Sequence, residues 1–182
     1  MSKVILPPSA NSYITQYYPD QNFDRSPSLF AGQFKQAGDT YRSLLRFDLP
    51  NFGTGADQNS GDRVIKQAYL QLAIERNAIP AKSSIFLNVF VVSQAWTAAT
   101  VSWERQPLIH AVAENGATIA SGDGMVEVNL TSLVIDWLAG HIYNHGILLV
   151  GDESRNSLVA FYSSFSQDSN LVPRLIIEYT SD

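Results

Sequence analysis

The chain has 182 residues, 45% of them hydrophobic and 16% charged, with a formal net charge of −5 and no cysteine. That composition excludes a disordered chain, which needs high charge and few apolar residues. It also excludes a disulfide framework and thiolate zinc sites. A negative chain without a run of Lys or Arg makes a poor nucleic-acid binder, and no stretch approaches the ~20 apolar residues of a membrane span.

Short apolar runs separated by turn residues follow one another along the chain. Residues 12–18 are rich in Tyr, Ile and Thr and end at Pro19. A short run covers 29–32. Residues 42–49 read as alternating, with Leu44 and Phe47 apolar and Arg46 and Asp48 polar. Residues 67–75 alternate cleanly, placing Ala68, Leu70, Leu72 and Ile74 on one face. Residues 84–92 repeat the pattern with Ile85, Leu87, Val89 and Val91. Further runs at 126–130, 146–150, 158–163 and 174–179 bring the set to about nine strands. Segments 51–63 and 98–124 read as long loops, the second holding a candidate short strand at 117–120. One segment has helical spacing. Over 131–139, Leu133, Val134, Trp137 and Leu138 share a face, Thr131 is placed to cap the start and Gly140 to end it. The expected fold is an all-β, jelly-roll-like antiparallel sandwich of one domain, 1–182, with one short helix.

The chain carries no G-x-S-x-G elbow, no HExxH and no glycine-rich phosphate loop, so it is expected not to be an enzyme. His141 and His145 lack a third local ligand and read as loop histidines. Three oxygen-rich clusters suit either a hard cation such as calcium or a turn in which the side chains satisfy backbone donors. They are Asp20, Asn22 and Asp24; Asp57, Asn59 and Asp62; and Asp152 with Glu153. Trp96 and Trp103 frame a segment that either stacks on sugar rings or closes the end of the sandwich. Tyr13, Tyr17, Tyr18 and Phe23 cluster near the start, either as a sticky surface or as an ordinary edge-strand face.

Several pieces recur in one order. Ser12-Tyr13-Ile14 leads to Pro19 and Asn22-Phe23, then to Leu29-Phe30-Ala31-Gly32. The run Arg42-Ser43-Leu44-Leu45-Arg46-Phe47-Asp48-Leu49 precedes Ala68-Tyr69-Leu70-Gln71-Leu72. Trp96, Thr100-Val101-Ser102-Trp103 and Gln106-Pro107 follow, and Pro173-Arg174-Leu175 closes the chain. In this order the sequence resembles the DNRLRE family, which is classed among carbohydrate-binding modules. It departs from the family at Asp24, where Gly is common, and in a longer 51–63 loop. The resemblance implies a jelly-roll-like sandwich of secreted or surface proteins, with some relatives similar to modules for alginate or other polysaccharides.

Two functions follow as expectations. The first is a non-catalytic structural protein of the cell or spore surface, reached without a recognisable signal peptide. It would assemble with copies of itself into a fibre or layer through sheet edges, with calcium in the acidic loops and residues 1–6 as a donated strand. The alternative is a polysaccharide-binding module. It would use Tyr13, Tyr17, Tyr18 and Trp103 as stacking surfaces and Arg42, Arg46 and Arg105 for acidic sugars.

Overall fold

The computed structural model describes residues 1–52 and 63–181. Its elements are β1 (Ser2–Leu6), β2 (Ala10–Thr15), β3 (Ser28–Gln33), β4 (Thr40–Arg46), β5 (Arg63–Asn77), β6 (Ser84–Val91), β7 (Asn115–Ala120), β8 (Met125–Asn129), α1 (Thr131–Ala139), β9 (Ile147–Val150), β10 (Val159–Tyr162) and β11 (Arg174–Ser181). Every strand pairing is antiparallel. One sheet runs β1-β11-β5-β8, the other β2-β4-β9-β6-β7. β10 continues alongside β5 past the end of β11, and β3 lies on β10. β3 then reaches β4 at Gly32 opposite Tyr41 and Gln33 opposite Thr40, which joins the two sheets. The result is the expected nearly all-β sandwich with one helix.

The alternation in β5 and β6 decides their faces. Ala68, Leu70 and Leu72 of β5, and Ile85, Leu87, Val89 and Val91 of β6, all fall within one core between the sheets. Leu45, Phe47, Ile147, Leu149 and Phe161 complete its centre. Apolar area withdrawn from water at ~25 cal/mol per Å² makes this layer the main stabilising term.

β4 buries both neighbours of a pair, Leu44 and Leu45. A strand with one solvated face would expose one of them. Here Leu44 points away from the main core into a second cluster with Ile14, Leu148, Val92, Trp96 and Val101. The segment 93–110 thus folds back over the outer face of β2, β4 and β9, and an isolated bridge between Val92 and Ile109 closes its base.

Three expectations shift. Residues 2–6 of the 1–6 segment form β1, and that strand lies on β11 of its own chain from Ser2 opposite Tyr179 to Leu6 opposite Leu175. β2 stops at Thr15, not Tyr18, because the Thr15 hydroxyl accepts the Tyr17 N–H at 3.1 Å and turns the chain. Thr131 does not cap α1. Its hydroxyl accepts the Ala68 N–H at 2.9 Å and so binds the helix start to β5. Asn129 Oδ1 accepts the Thr131 N–H instead. Gly140 ends the helix in the left-handed conformation, φ 73°, as expected. Among the described residues, no helix is long and apolar enough to cross a membrane.

Candidate functional site

At one end of the sandwich, β2 and the β3–β4 turn come together. β2 pairs with β4 in a register that sets Thr15 opposite Tyr41. The Gln16 N–H donates to Thr40 O at 3.0 Å, so the chain beyond β2 stays beside β4 as it turns. The β3–β4 turn is tight: Phe34 N–H donates to Asp39 O at 2.8 Å and Gln36 N–H to Phe34 O at 2.7 Å. Lys35 takes a left-handed φ of 62° to close it. Tyr17, Tyr18, Phe34, Lys35, Gln36, Asp39 and Tyr41 then line one cleft of about 390 Å³. That volume lies at the small end of the range for ligand sites, ~300–1,000 Å³.

Tyr17 and Tyr18 are 53% and 46% exposed, and their rings meet edge to face at 4.8 Å. Behind them a packed aromatic base holds the cleft in shape. Tyr13 stacks on Phe23 at 4.4 Å and meets Phe30 edge-on at 4.8 Å, and Phe30 approaches Tyr41 at 5.5 Å. Burial first, then the hydrogen bond that its O–H donates to the Asp39 carboxylate and that carboxylate's charge, push the Tyr41 hydroxyl up to about 12. Asp39 is only 8% exposed, and its Oδ1 is buried with no hydrogen-bond partner. Lys35 and Arg76 both lie over the Phe34 ring, each at 4.9 Å.

The remaining sites expected from sequence fall elsewhere. Trp103 is half-buried beneath the Arg42 guanidinium, 4.8 Å from the ring. Arg42 itself forks onto Glu153 at 2.7 and 3.0 Å and donates to Gln106 at 3.0 Å. Arg46 packs over Trp96 at 5.7 Å and donates to Trp96 O. Arg105 is exposed and lines a shallow groove with Trp96, Gln106 and Pro107. The seven residues thus divide: Tyr13, Tyr17 and Tyr18 gather at the cleft, and Trp103 and the arginines serve the outer layer.

Of the acidic clusters, Asn22, Asp152 and Glu153 make structural contacts. Asn22 Nδ2 donates to Ala98 O at 2.6 Å and Val101 O at 2.8 Å, and its Oδ1 accepts the Asp24 N–H at 3.2 Å. Asp20 is exposed and Asp24 half-buried. Ser154, first, and then Arg155 hold the Asp152 carboxyl below the usual carboxylate range, and Glu153 faces Arg42. Asp57, Asn59 and Asp62 lie outside the described residues. Among the described residues, no three His, Cys, Asp or Glu side chains converge where a metal ion would sit. Replacing Asn22 by Ala strands two carbonyls of the outer loop, and an expected loss of ~2–3 kcal/mol follows. Urea unfolding followed by tryptophan fluorescence checks it, and an unchanged midpoint would show that Asn22 does not hold the loop.

Phe34, Lys35, Asp39 and Tyr41 were not reached by sequence reasoning. Asp39 and Tyr41 flank the start of β4, over twenty positions from Tyr17, and only the β2–β4 register joins them. A second cleft of about 390 Å³ lies under α1 against Trp137, Phe52 and Asn144. Its aromatics are buried, so it offers no open ring face.

Compared with known families, the chain is matched over residues 2–179 by carbohydrate-binding module family 96. A comparison with curated proteins finds no match.

Proposed function

Because the chain belongs to carbohydrate-binding module family 96, we propose that it binds a polysaccharide through the Tyr17–Tyr18 cleft and performs no catalysis. The DNRLRE resemblance belongs to the same reading. One observation carries the choice of site: two exposed tyrosine rings, set at right angles, share a cleft with a buried carboxylate.

The chemistry suits a sugar ring. A pyranose has a C–H face that packs on an aromatic ring and a rim of hydroxyls that need acceptors and donors. Tyr17 and Tyr18 supply faces at two angles, so one ring packs while the other bounds its edge. Tyr41 and Gln36 add groups that donate and accept, and Asp39 accepts only. The base of Tyr13, Phe23 and Phe30 fixes the platform before ligand arrives, which lowers the ordering cost on binding. Function outside the cell is part of this proposal, since polysaccharides of that kind are met there.

Self-assembly has less to support it. The strand expected to be donated to a neighbour, β1, already lies on β11 of its own chain.

Native gels cast with a panel of soluble polysaccharides test the proposal. At least one glycan is expected to retard the protein. Tyr17→Ala and Tyr18→Ala are each expected to weaken that retardation about tenfold, ~1.4 kcal/mol, with little change in Tm because both rings are exposed. A protein that migrates freely through every glycan is not a polysaccharide binder.

A further inference from the structure

We propose that a second glycan-binding surface lies on the outer face of β6. There the Phe86 ring is the platform for one pyranose unit, and the Asn88 side chain bonds the hydroxyls at its rim. The inference rests on the chain binding a polysaccharide, and not on which residues form the first cleft.

β6 turns Ile85, Leu87 and Val89 into the core, so Ser84, Phe86 and Asn88 face out. The outer layer of 93–110 meets β6 at Phe90, and Phe86, nearer the start of the strand, is 52% exposed. The ring is held in place all the same. Phe86 stands opposite Thr118 of β7 but leans along that strand onto Gly116. A Cβ at Gly116 would collide with Phe86 Cε1 and lie 2.8 Å from its Cζ. The missing side chain is thus the seat of the ring, which rests on the strand and leaves its other side to solvent. Phe86, Asn88, Asp152, Glu153 and Arg155 bound a groove of about 660 Å³, well within the range for ligand sites.

The charges of the groove are spent on its own wall. Arg155 joins Asp152 at 2.7 Å and donates to Ser84 O at 2.6 Å, which ties the loop after β9 to the start of β6. Arg42 holds Glu153 in the same way. Asn88 differs: its half-buried side chain makes no hydrogen bond among the described residues, and its polar atoms are open to solvent. An amide both donates and accepts, which suits the hydroxyls of a sugar, and the aromatic face suits its C–H face. The groove therefore reads ring shape and hydroxyls. The loop that walls it also braces the tyrosine cleft, because Asn156 Oδ1 accepts the Lys35 N–H at 2.9 Å and Asp152 O accepts the Gln33 N–H at 3.2 Å. Two sites on either side of one loop let a single long chain attach twice, and the second attachment is then intramolecular.

The experiment compares wild type, Phe86→Leu, Phe86→Tyr, Asn88→Ala and a Tyr17→Ala/Tyr18→Ala double variant in gels cast with xylan, soluble glucan, mannan or alginate, with Tm measured for each. On a glycan that retards wild type, Phe86→Leu and Asn88→Ala are each expected to weaken retardation about tenfold or more, because the chain loses its second attachment. Phe86→Tyr keeps a flat ring and is expected to keep the retardation. Leucine still covers Gly116, so the Tm of Phe86→Leu is expected within ~2 °C of wild type. Full retardation of Phe86→Leu overturns the inference, since the ring is then only a cover for the glycine. Full retardation of Asn88→Ala overturns it as well, and so does a loss at Phe86→Leu that Phe86→Tyr shares. If Phe86→Leu fails to fold, Asn88→Ala decides in its place. Retardation lost by the tyrosine double variant and kept by the Phe86 and Asn88 variants leaves the first cleft standing and this one overturned. The reverse pattern supports the Phe86 groove and overturns the tyrosine cleft, and no retardation by any glycan overturns the inference and the proposed function together.

Discussion

Trp96→Ala is expected to cost about 3–5 kcal/mol, the range for deleting a large buried aromatic. The indole is 7% exposed and sits in the cluster outside the second sheet with Ile14, Leu44 and Leu148. Three separate contacts end together when it is removed. The ring leaves a cavity over β4 and β9. Its Nε1–H no longer donates to His145 O, a bond of 2.6 Å. Arg46, whose guanidinium lies over the ring at 5.7 Å, loses the aromatic face beneath it. Trp96→Phe separates these effects, because it keeps a ring under Arg46 and removes the donor. Its expected cost is ~1–2 kcal/mol. Urea midpoints of the two variants give the comparison. If both lose the same amount, the hydrogen bond and not the packing holds the outer segment. If neither loses more than ~0.5 kcal/mol, the segment 93–110 is an appendage and not a second core.

What was legible in the sequence follows the number of faces each strand buries. β5 and β6 have one face in the core and one outside, so their alternation was plain and the residues assigned to the core lie in it. β4 has both faces covered, so the alternation expected over 42–49 does not hold: the adjacent Leu44 and Leu45 are both buried, in different clusters. β1 is short and half-exposed, and its place is set by pairing with β11, a partner at the far end of the chain. The same holds for the first residues of β5, where Val64 is exposed and pairing with β11 extends the strand. Turn chemistry hid the rest. The Thr15 hydroxyl ends β2 early and frees Tyr17 and Tyr18 from the strand. The sequence marked the two tyrosines as a surface. Their partners Asp39 and Tyr41 become neighbours only through register. Nothing local distinguishes Asp39 from an ordinary turn aspartate, since its burial and its contact with Tyr41 come from the fold.

Gly146→Ala is expected to destabilise by about 3–5 kcal/mol, for two reasons that a second glycine separates. Gly146 precedes β9 with φ 86°, a conformation that costs an L side chain ~1–2 kcal/mol. A Cβ there would also press on the Leu45 carbonyl oxygen, far inside contact distance, and lie 3.0 Å from Arg46 Cα. Both are backbone atoms of β4 and have no rotamer by which to withdraw. Relief requires β9 to move off β4, where Ile147 pairs with Leu45 and Leu148 with Leu44. The residue before the glycine is His145, whose carbonyl receives Trp96, so the displacement would reach the outer layer as well. Gly122 is the control. Its φ is 87°, and nothing lies within 4 Å of a Cβ built on it. Gly122→Ala carries the conformational cost alone, ~1–2 kcal/mol. The difference between the two urea midpoints measures the contact of β9 with β4, and equal losses at both positions would mean that β9 is free to shift and that the close approach at Gly146 does not hold the second sheet in register.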